Sequence, residues 1–355
     1  MKNNKTEFLN YIHSFRGLAI LLILFGHAMV AAFIGAKGSF DDSHPLLMVS
    51  EVFYHDSTLY FALISGILFS RVLKKRGYRR FYKSKVKNII LPYIFISVVF
   101  TLLKNKFNTG ILDGIWGFTK TIFENLIYGK ANFVLWYIPV LIFLYLTTPL
   151  LDYLSDKQPV KKGLYVIIIL LPLVVSRVPI DLDYSLHLPT MIYFTGAYAL
   201  GIYLGKDLEY GFKQIAVFKT YIIIVAVLST LVLFYFYMNN LNLVGSVSLK
   251  ESVFYIQKTT FALLIMLFFK NKLNRPLRSL NGVARDSFSI YFLHGYILYA
   301  SLPLFKFILN ITEITPLNII ITTAVLIVYT LVVCRFIIWV FKRVFGKKSR
   351  VLIGA

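Results

Sequence analysis

The sequence predicts an all-α fold, a polytopic membrane helix bundle of about ten transmembrane helices with both termini in the cytoplasm. Of the 355 residues, 58% are hydrophobic and only 15% are charged, with a mean hydropathy of +0.71. A soluble protein needs far more polar surface than this composition supplies. Apolar runs long enough to cross a bilayer, about 20 residues, recur along the chain, and the cations concentrate in alternate segments between them.

The candidate spans follow in order along the chain. They cover roughly residues 17–36, 56–73, 89–105, 133–151, 164–178, 189–205, 220–238, 252–270, 286–304 and 317–341. The fifth and sixth are short and carry prolines. The first has no small-residue cleavage site and is followed by further apolar runs, so we interpret it as a retained helix and not as a signal peptide.

The net charge of +22 follows mainly from topology. With the N-terminus in the cytoplasm, most of the 38 lysines and arginines fall in segments that lie inside, as the positive-inside rule requires. The minority on the predicted outer side includes Arg177 and Lys258. No nucleic acid is needed to explain the charge, and contact with anionic lipid headgroups is a secondary use.

No soluble domain is predicted, because the polar interruptions are short. The longest, residues 106–132, has apolar residues at helical spacing, which fits either a helix lying in the membrane interface or a plain connecting loop. The single cysteine, Cys334, excludes a disulfide framework and a cysteine metal cluster. No metal is expected.

The first span carries two polar residues on one face. Arg16 and His27 are eleven residues apart, close to three helical turns, so both project from the same side. Ionisable residues inside a membrane are costly and mark functional sites. One interpretation gives His27 a proton-transfer role near neutral pH. The alternative is an arginine that snorkels to the interface and a histidine that bonds a neighbouring helix.

The second span begins with His55 and Asp56, which we place at its outer mouth, and contains Gly66, which allows close approach of another helix. A dense basic loop, residues 71–87, follows it. Arginine and lysine in such a loop can grip phosphate groups, although a loop that anchors the protein beside anionic lipid has the same composition.

The ninth span contains the stretch Asp286 to Ile297, "DSFSIYFLHGYI". His294 lies about two turns into it, and Tyr291 is one turn earlier on the same side. A lone histidine at such a place is either structural or chemical, and the sequence alone leaves both open.

Six blocks of the chain together resemble the acyltransferase-3 family. In order they are "RGLAILLILFGHA", "LYFALISGILFS", "RRFYKSKVKNIILPYI", "LWYIPVLI", "FTGAYALGIYLG" and "SFSIYFLHGYI". The family pattern has an arginine and a histidine in its first span, which fall on Arg16 and His27. This sequence departs from the family's usual aromatic pair before the Ser-Gly of the second block, where it reads Phe61-Ala62-Leu63-Ile64.

The resemblance implies an integral-membrane enzyme, an O-acyltransferase with an acyltransferase-3 domain at residues 1–346 and a basic cytoplasmic tail at 347–355. It would move an acyl group, acetyl by family frequency, from acyl-CoA to a cell-surface glycan or a polyprenol-linked oligosaccharide, in the multi-pass setting of the bacterial cell membrane. The implied residues are, for catalysis, His27, His294 and Tyr291; for acyl-CoA binding, Arg16, Arg79, Arg80, Lys83 and Lys87; and for substrate binding, His55, Asp56 and Trp136.

Two other classes stay open at this point. A transporter or flippase of lipid-linked sugars would share the many spans and the intramembrane His and Arg, but it would not consume acyl-CoA. A proton-coupled carrier usually has intramembrane carboxylates, and the predicted span interiors hold almost none. The sequence makes no prediction of the oligomeric state.

Overall fold

The computed structural model describes residues 9–37, 44–107, 114–156, 158–175, 177, 187–239, 241, 243–244, 247–309 and 315–355. Its helices are α1 Asn10–Lys37, α2 Pro45–Tyr54, α3 Thr58–Leu68, α4 Tyr78–Lys85, α5 Leu91–Phe107, α6 Gly114–Tyr128, α7 Tyr137–Leu154, α8 Pro159–Leu170, α9 Leu188–Lys206, α10 Leu208–Val217, α11 Lys219–Met238, α12 Leu249–Lys272, α13 Arg278–Arg285, α14 Ser287–Leu309, α15 Pro316–Phe345 and α16 Ser349–Leu352. Two short antiparallel strands of two residues each, β1 Leu243–Val244 and β2 Val247–Ser248, precede α12.

The helical membrane bundle is confirmed, with eight helical stretches in the described residues long and apolar enough to span a bilayer. The fifth and sixth predicted spans fall short of that measure. Helix α8 has 12 residues, which rise only about 18 Å against a hydrocarbon core of about 30 Å. Helix α9 has 19 residues but is rich in Thr, Tyr and Gly.

Helix α9 nevertheless runs the depth of the bundle. Near its start Tyr193 contacts Asp56, and at its end Lys206 donates to the Ser155 carbonyl at 2.6 Å. It packs closely on α3, where Gly66 and Gly201 lie against backbone of the opposite helix. Because a Cβ at either glycine would collide with that backbone, small residues are required at this crossing. The predicted role of Gly66 in close approach is confirmed.

The second span is longer than predicted and is broken. It covers Pro45–Arg76, and residues 55–57 separate α2 from α3. Lys258 of α12, fully buried, donates to the carbonyls of Val52 and Phe53 at 3.1 and 2.8 Å. The lysine thereby satisfies carbonyl groups at the end of α2 that continued helix would otherwise satisfy.

Residues 106–132 include a genuine helix, α6, and residues 108–113 lie outside the described part of the chain. Tyr93 of α5 donates to the Leu126 carbonyl at 2.7 Å, and Asn125 bonds Thr101 at 2.8 Å. Trp116 is 82% exposed on the opposite side. After α6 the chain enters the bundle, and Asn132 and Val134 pack against Gly295 of α14.

The cation-rich segments meet at one end of the bundle, which we call the inner end. Arg16 Nε donates to Ser287 at 2.6 Å, and Lys342 bonds Asp286 at 2.8 Å. The predicted tail folds back here, with Ile353 buried and Gly354 against Phe288 and Phe292. The division of the chain at residue 346 stays a prediction.

Candidate active site

The two intramembrane histidines meet inside the bundle. His27 Nδ1 lies 3.0 Å from His294 Nε2, and the two rings are nearly parallel with centroids 5.3 Å apart. Helices α1 and α14 pack against each other, and the fully buried Ala28 and Ala31 of α1 belong to the same apolar cluster as Leu298 of α14. A pair separated by 267 residues is thus joined by one hydrogen bond.

The neighbours of His294 assign the tautomers of both rings. Its Nδ1 lies 3.0 Å from the carbonyl of Ile290 and 2.9 Å from that of Tyr291. Carbonyl oxygens only accept, so Nδ1 of His294 carries the hydrogen and, in the neutral ring, Nε2 is an acceptor. His27 therefore donates through Nδ1, which leaves a lone pair on its Nε2. That nitrogen is suited to act as a base or a nucleophile.

A cavity of about 120 Å³ adjoins His27. It brings together five residues that the sequence analysis assigned to catalysis or substrate binding: His27, Tyr291, His55, Asp56 and Trp136. Its wall is completed by Ile23, Gly26, Val30, Ser50, Glu51, Tyr54, Ser57, Thr58, Val134 and Arg177. Non-helical backbone at membrane depth is tolerated where it lines such a cavity, which explains the break in the second span.

His55 and Asp56 do not begin the second span, which starts at Pro45, because the polar residues of α2 interrupt the apolar run. Their place at the outer mouth stays a prediction. They contact Glu251, in the first turn of α12, and Tyr193, near the start of α9. Tyr54, the last residue of α2, packs directly on Gly26 of α1. Asp56 adopts a left-handed conformation with φ of 55°, which aspartate tolerates better than most residues.

Asp56 is held by two side chains from elsewhere in the fold. Arg177, which follows α8, forms an ion pair with Oδ1, and Tyr193 donates to Oδ2 at 2.8 Å. The Arg177 guanidinium also lies 4.8 Å from the ring of Trp136. Both Asp56 and Arg177 are buried, so each charge depends on these partners.

His55 lies between two carboxylates. Its Nδ1 is 3.0 Å from Glu51, and its Nε2 is 3.5 Å from Glu251. Ligand atoms of His55, Asp56 and Glu251 lie within 4.8 Å of one another, close enough for one metal ion. The Arg177 guanidinium on Asp56 already supplies positive charge there. These carboxylates also correct the prediction that the span interiors hold almost none.

Tyr291 faces the cavity, but its hydroxyl is engaged with the Val134 carbonyl. That contact holds residues 133–136 inside the bundle, where the ring of Phe133 packs edge-on against His27 at 5.0 Å. The geometry therefore suits Tyr291 to positioning this segment. Its catalytic role stays a prediction.

The predicted phosphate-binding residues divide into two groups. Arg16 lies inside the inner end, bonded to Ser287 and 5.0 Å from the ring of Phe288. Four others are exposed on the outside of α4 and the π-helical turn after it, namely Arg79, Arg80, Lys83 and Lys87. Lys85 instead faces inward, with Nζ 4.1 Å from the centroid of the Tyr145 ring.

Sequence reasoning missed Lys85, Arg177, Glu51, Glu251 and Lys258. Helical spacing was a usable signal for Lys85, because Phe81, one turn earlier, is buried. Arg177 and Lys258 were counted as outer-side charges, yet both are buried. Nothing local in the sequence marks their partners, which lie more than 100 residues away in the chain.

Comparison with known families identifies the chain. A profile described as "Acyltransferase domain", that of Acyl_transf_3, matches residues 9–339. The chain belongs to the acyltransferase-3 family. No curated protein and no solved structure matches it significantly.

As a member of the acyltransferase-3 family, the protein is a multi-pass membrane acyltransferase. The matched range includes His27, His294, Arg16 and the whole lining of the cavity. An acyl transfer needs a base or nucleophile beside a space for the acceptor, and the His27–His294 pair meets that requirement.

Proposed function

We propose that this acyltransferase-3 protein moves an acyl group, in the first instance acetyl, from cytoplasmic acyl-CoA to a hydroxyl of a cell-surface polysaccharide or of its polyprenol-linked precursor. The bacterial cytoplasmic membrane is its proposed location, because donor and acceptor then lie on opposite sides. The proposal is carried by the position of His27, which adjoins a cavity and lies on the same helix as Arg16.

The reaction can be written with His27 as the base. Its Nε2 accepts the proton of the acceptor hydroxyl while that oxygen attacks the thioester carbonyl carbon. The carbon–sulfur bond then breaks, and His27 returns the proton to the departing sulfur, so CoA leaves as the thiol. General base catalysis of this kind is typically worth about 10²–10⁴-fold.

A two-step route uses the same nitrogen as a nucleophile. Nε2 attacks the thioester carbon, the carbon–sulfur bond breaks, and CoA leaves as the thiolate. The acceptor hydroxyl then attacks the acyl-imidazole carbon, the carbon–nitrogen bond breaks, and the freed Nε2 takes up the hydroxyl proton and releases it to water. Acid quenching after mixing with radiolabelled acetyl-CoA distinguishes the routes, since only the second leaves label on the protein before acceptor is added.

The donor enters from the inner end in this proposal. Arg16 binds a phosphate of CoA, and Lys85 contributes a second inward charge. The exposed cations Arg79, Arg80, Lys83 and Lys87 act by long-range attraction of the anionic donor. Between Arg16 and His27, eleven residues of α1 rise about 16 Å, which the extended arm of the donor has to cover.

The acceptor occupies the cavity. Trp136 offers an apolar ring face, and His55, Asp56 and Glu51 offer polar groups around the same space. A volume of about 120 Å³ holds roughly four waters at about 30 Å³ each, so it takes the part of the acceptor that carries the reacting hydroxyl. No step in this scheme uses a metal ion.

Mass spectrometry of surface glycan from cells with and without the gene tests the proposal, together with an assay of free CoA in their membranes. We expect O-acylated glycan and release of CoA only where the protein is present. Movement of an intact lipid-linked sugar without consumption of acyl-CoA would overturn the proposal in favour of a transporter or flippase.

A further inference from the structure

Two buried tyrosine hydroxyls between the inner end and the histidines lack a hydrogen bond of normal geometry. Tyr137 and Tyr145, both on α7, are only 2% and 3% exposed. Tyr137 OH and Tyr145 OH each lack a hydrogen bond of normal geometry, although Ser65 lies near the second. A buried polar group without a partner costs about 1–3 kcal/mol, so two in one region call for a physical explanation.

The two tyrosines occupy the depth between Arg16 and His27. At the lower level, Tyr145 lies under the Lys85 ammonium and within electrostatic reach of Arg16. At the upper level, the Tyr137 ring is 6.3 Å from that of Tyr291, which is in turn 5.8 Å from that of His294. Eight residues of α7 separate the hydroxyl-bearing residues by about 12 Å.

Three other buried tyrosines in the described part of the bundle have hydrogen-bond partners. Tyr198 bonds Thr148 at 2.7 Å, Tyr165 donates to the Ala199 carbonyl at 2.7 Å, and Tyr93 donates to the Leu126 carbonyl at 2.7 Å. Unsatisfied hydroxyls of smaller residues also occur in the bundle, at Ser14, Ser50, Ser70, Ser97, Ser289 and Thr330. The two tyrosines are set apart by their place between Arg16 and His27.

The backbone around the lower end of this path is irregular. Two π-helical turns, Phe69–Leu73 and Val86–Ile90, lie on either side of α4, which carries Lys85. Turns of this type are rare and are often found at functional sites. They let the inner ends of two spans depart from regular packing beside Tyr145.

We infer that Tyr137 and Tyr145 form a binding site for the amide-bearing pantetheine arm of the acyl donor. This inference rests on the proposed function and adds the residues that guide the thioester from Arg16 to His27. The arm carries amide N–H and carbonyl groups that pair with hydroxyls, which accept and donate. The tyrosine rings fill the path between these levels, so they turn aside when the arm enters.

The inference makes opposite predictions for binding and for stability. Phenylalanine keeps each ring and removes only the hydroxyl. Tyr137→Phe and Tyr145→Phe should therefore weaken binding of CoA by about two- to ten-fold each, the range of one ordinary hydrogen bond. The same variants should unfold at the same temperature as the wild type or higher, because each loses an unpaired buried polar group.

The full-length protein in lipid nanodiscs is titrated with CoA and, separately, with 3′,5′-ADP, which has the nucleotide end of CoA and no arm. We expect both variants to lose affinity for CoA and to bind 3′,5′-ADP as the wild type does. Tyr198→Phe is the matched control, since its hydroxyl is satisfied by Thr148. It should lower the unfolding temperature and leave CoA binding unchanged.

Failure of the inference is distinguishable from failure of the proposed function. Wild-type protein that does not bind CoA would overturn the donor assignment itself. If the wild-type protein binds CoA and both variants bind it with the same affinity, only the role of the tyrosines is overturned. A fall in unfolding temperature like that of Tyr198→Phe would identify a structural role and would also overturn it.

Discussion

The two sides of His27 carry different kinds of buried polar group, charged side chains on the cavity side and tyrosine hydroxyls on the inner side. On the cavity side, Asp56 is paired with Arg177 and Tyr193, and His55 lies between Glu51 and Glu251. On the inner side, the hydroxyls of Tyr137 and Tyr145 lack a hydrogen bond of normal geometry, and Ser65 lies near the second. The charged groups hold one another in place, whereas we infer that the two hydroxyls bind the arm of the donor.

Under the proposed function, the difference suits an enzyme whose two reactants come from opposite sides of a membrane. The cavity is already formed, as expected for a site that selects an acceptor by shape. On the inner side the rings of Tyr137 and Tyr145 are packed and buried, so the inferred donor path opens only when the donor enters. Substitutions on the cavity side should therefore lower stability, whereas substitutions on the inner side should weaken donor binding.

The largest effect is expected at the boundary between the two sides, at His294. His294→Leu removes the acceptor for the Nδ1 hydrogen of His27, so the tautomer and orientation of His27 are no longer fixed. We expect the rate of acyl transfer to fall by about 10²–10⁴-fold with unchanged affinity for CoA. Turnover measured alongside CoA binding separates this positioning role from loss of the donor site.

His294→Gln is the matched control, because its amide oxygen can accept from His27. It should recover part of the lost rate. Equal rates for the Leu and Gln variants, or a loss of folded protein from the membrane in both, would show that His294 acts only in packing.

On the cavity side, Arg177→Met should lower stability most. It leaves the buried Asp56 charge without its partner, and breaking a buried ion pair costs about 3–5 kcal/mol. Thermal unfolding in detergent measures the loss. Lys161→Met is the control, since its pair with Asp156 is 3.8 Å long and half exposed, and such pairs contribute at most about 1 kcal/mol. Similar losses in the two variants would contradict the account of the cavity.

On the inner side, Arg16→Lys keeps the charge but loses the planar donor pair. We expect weaker use of acyl-CoA, by about 1.5–3 kcal/mol if one charged contact is lost outright, with insertion and orientation unchanged. Release of CoA is measured against acyl-CoA concentration, with Arg16→Ala beside it. If CoA release by both variants depends on acyl-CoA concentration as it does for the wild type, Arg16 acts only in setting the membrane topology.

The smallest expected effect comes from comparing a lysine on the inward face of α4, Lys85, with one on its outward face, Lys83. Lys85→Met should weaken CoA binding by roughly 1 kcal/mol, the scale of a partly exposed charge contact. Lys83→Met should have less effect, and added salt should abolish it, because an exposed charge is screened. A larger loss for Lys83 than for Lys85 would restore the exposed face as the phosphate site.

The membrane helix bundle and about half of the candidate site could be predicted from the sequence. Apolar runs and cation placement predicted the membrane helices, and helical spacing put Arg16 and His27 on one face. The contact between His27 and His294 could not be predicted, because the two residues are 267 positions apart in the chain. The break at residues 55–57 was missed because it contains neither proline nor glycine, and its support, Lys258, comes from another helix.

The central claim is that His27 performs the chemistry, and His27→Ala tests it most directly. Purified wild-type and variant proteins are given acetyl-CoA and membranes that contain the acceptor glycan, and release of CoA and O-acetylation of glycan are both measured. We expect the variant to bind CoA and to unfold close to the wild-type temperature, yet to transfer no acetyl group. Acetylation of glycan by His27→Ala at the wild-type rate would contradict the account.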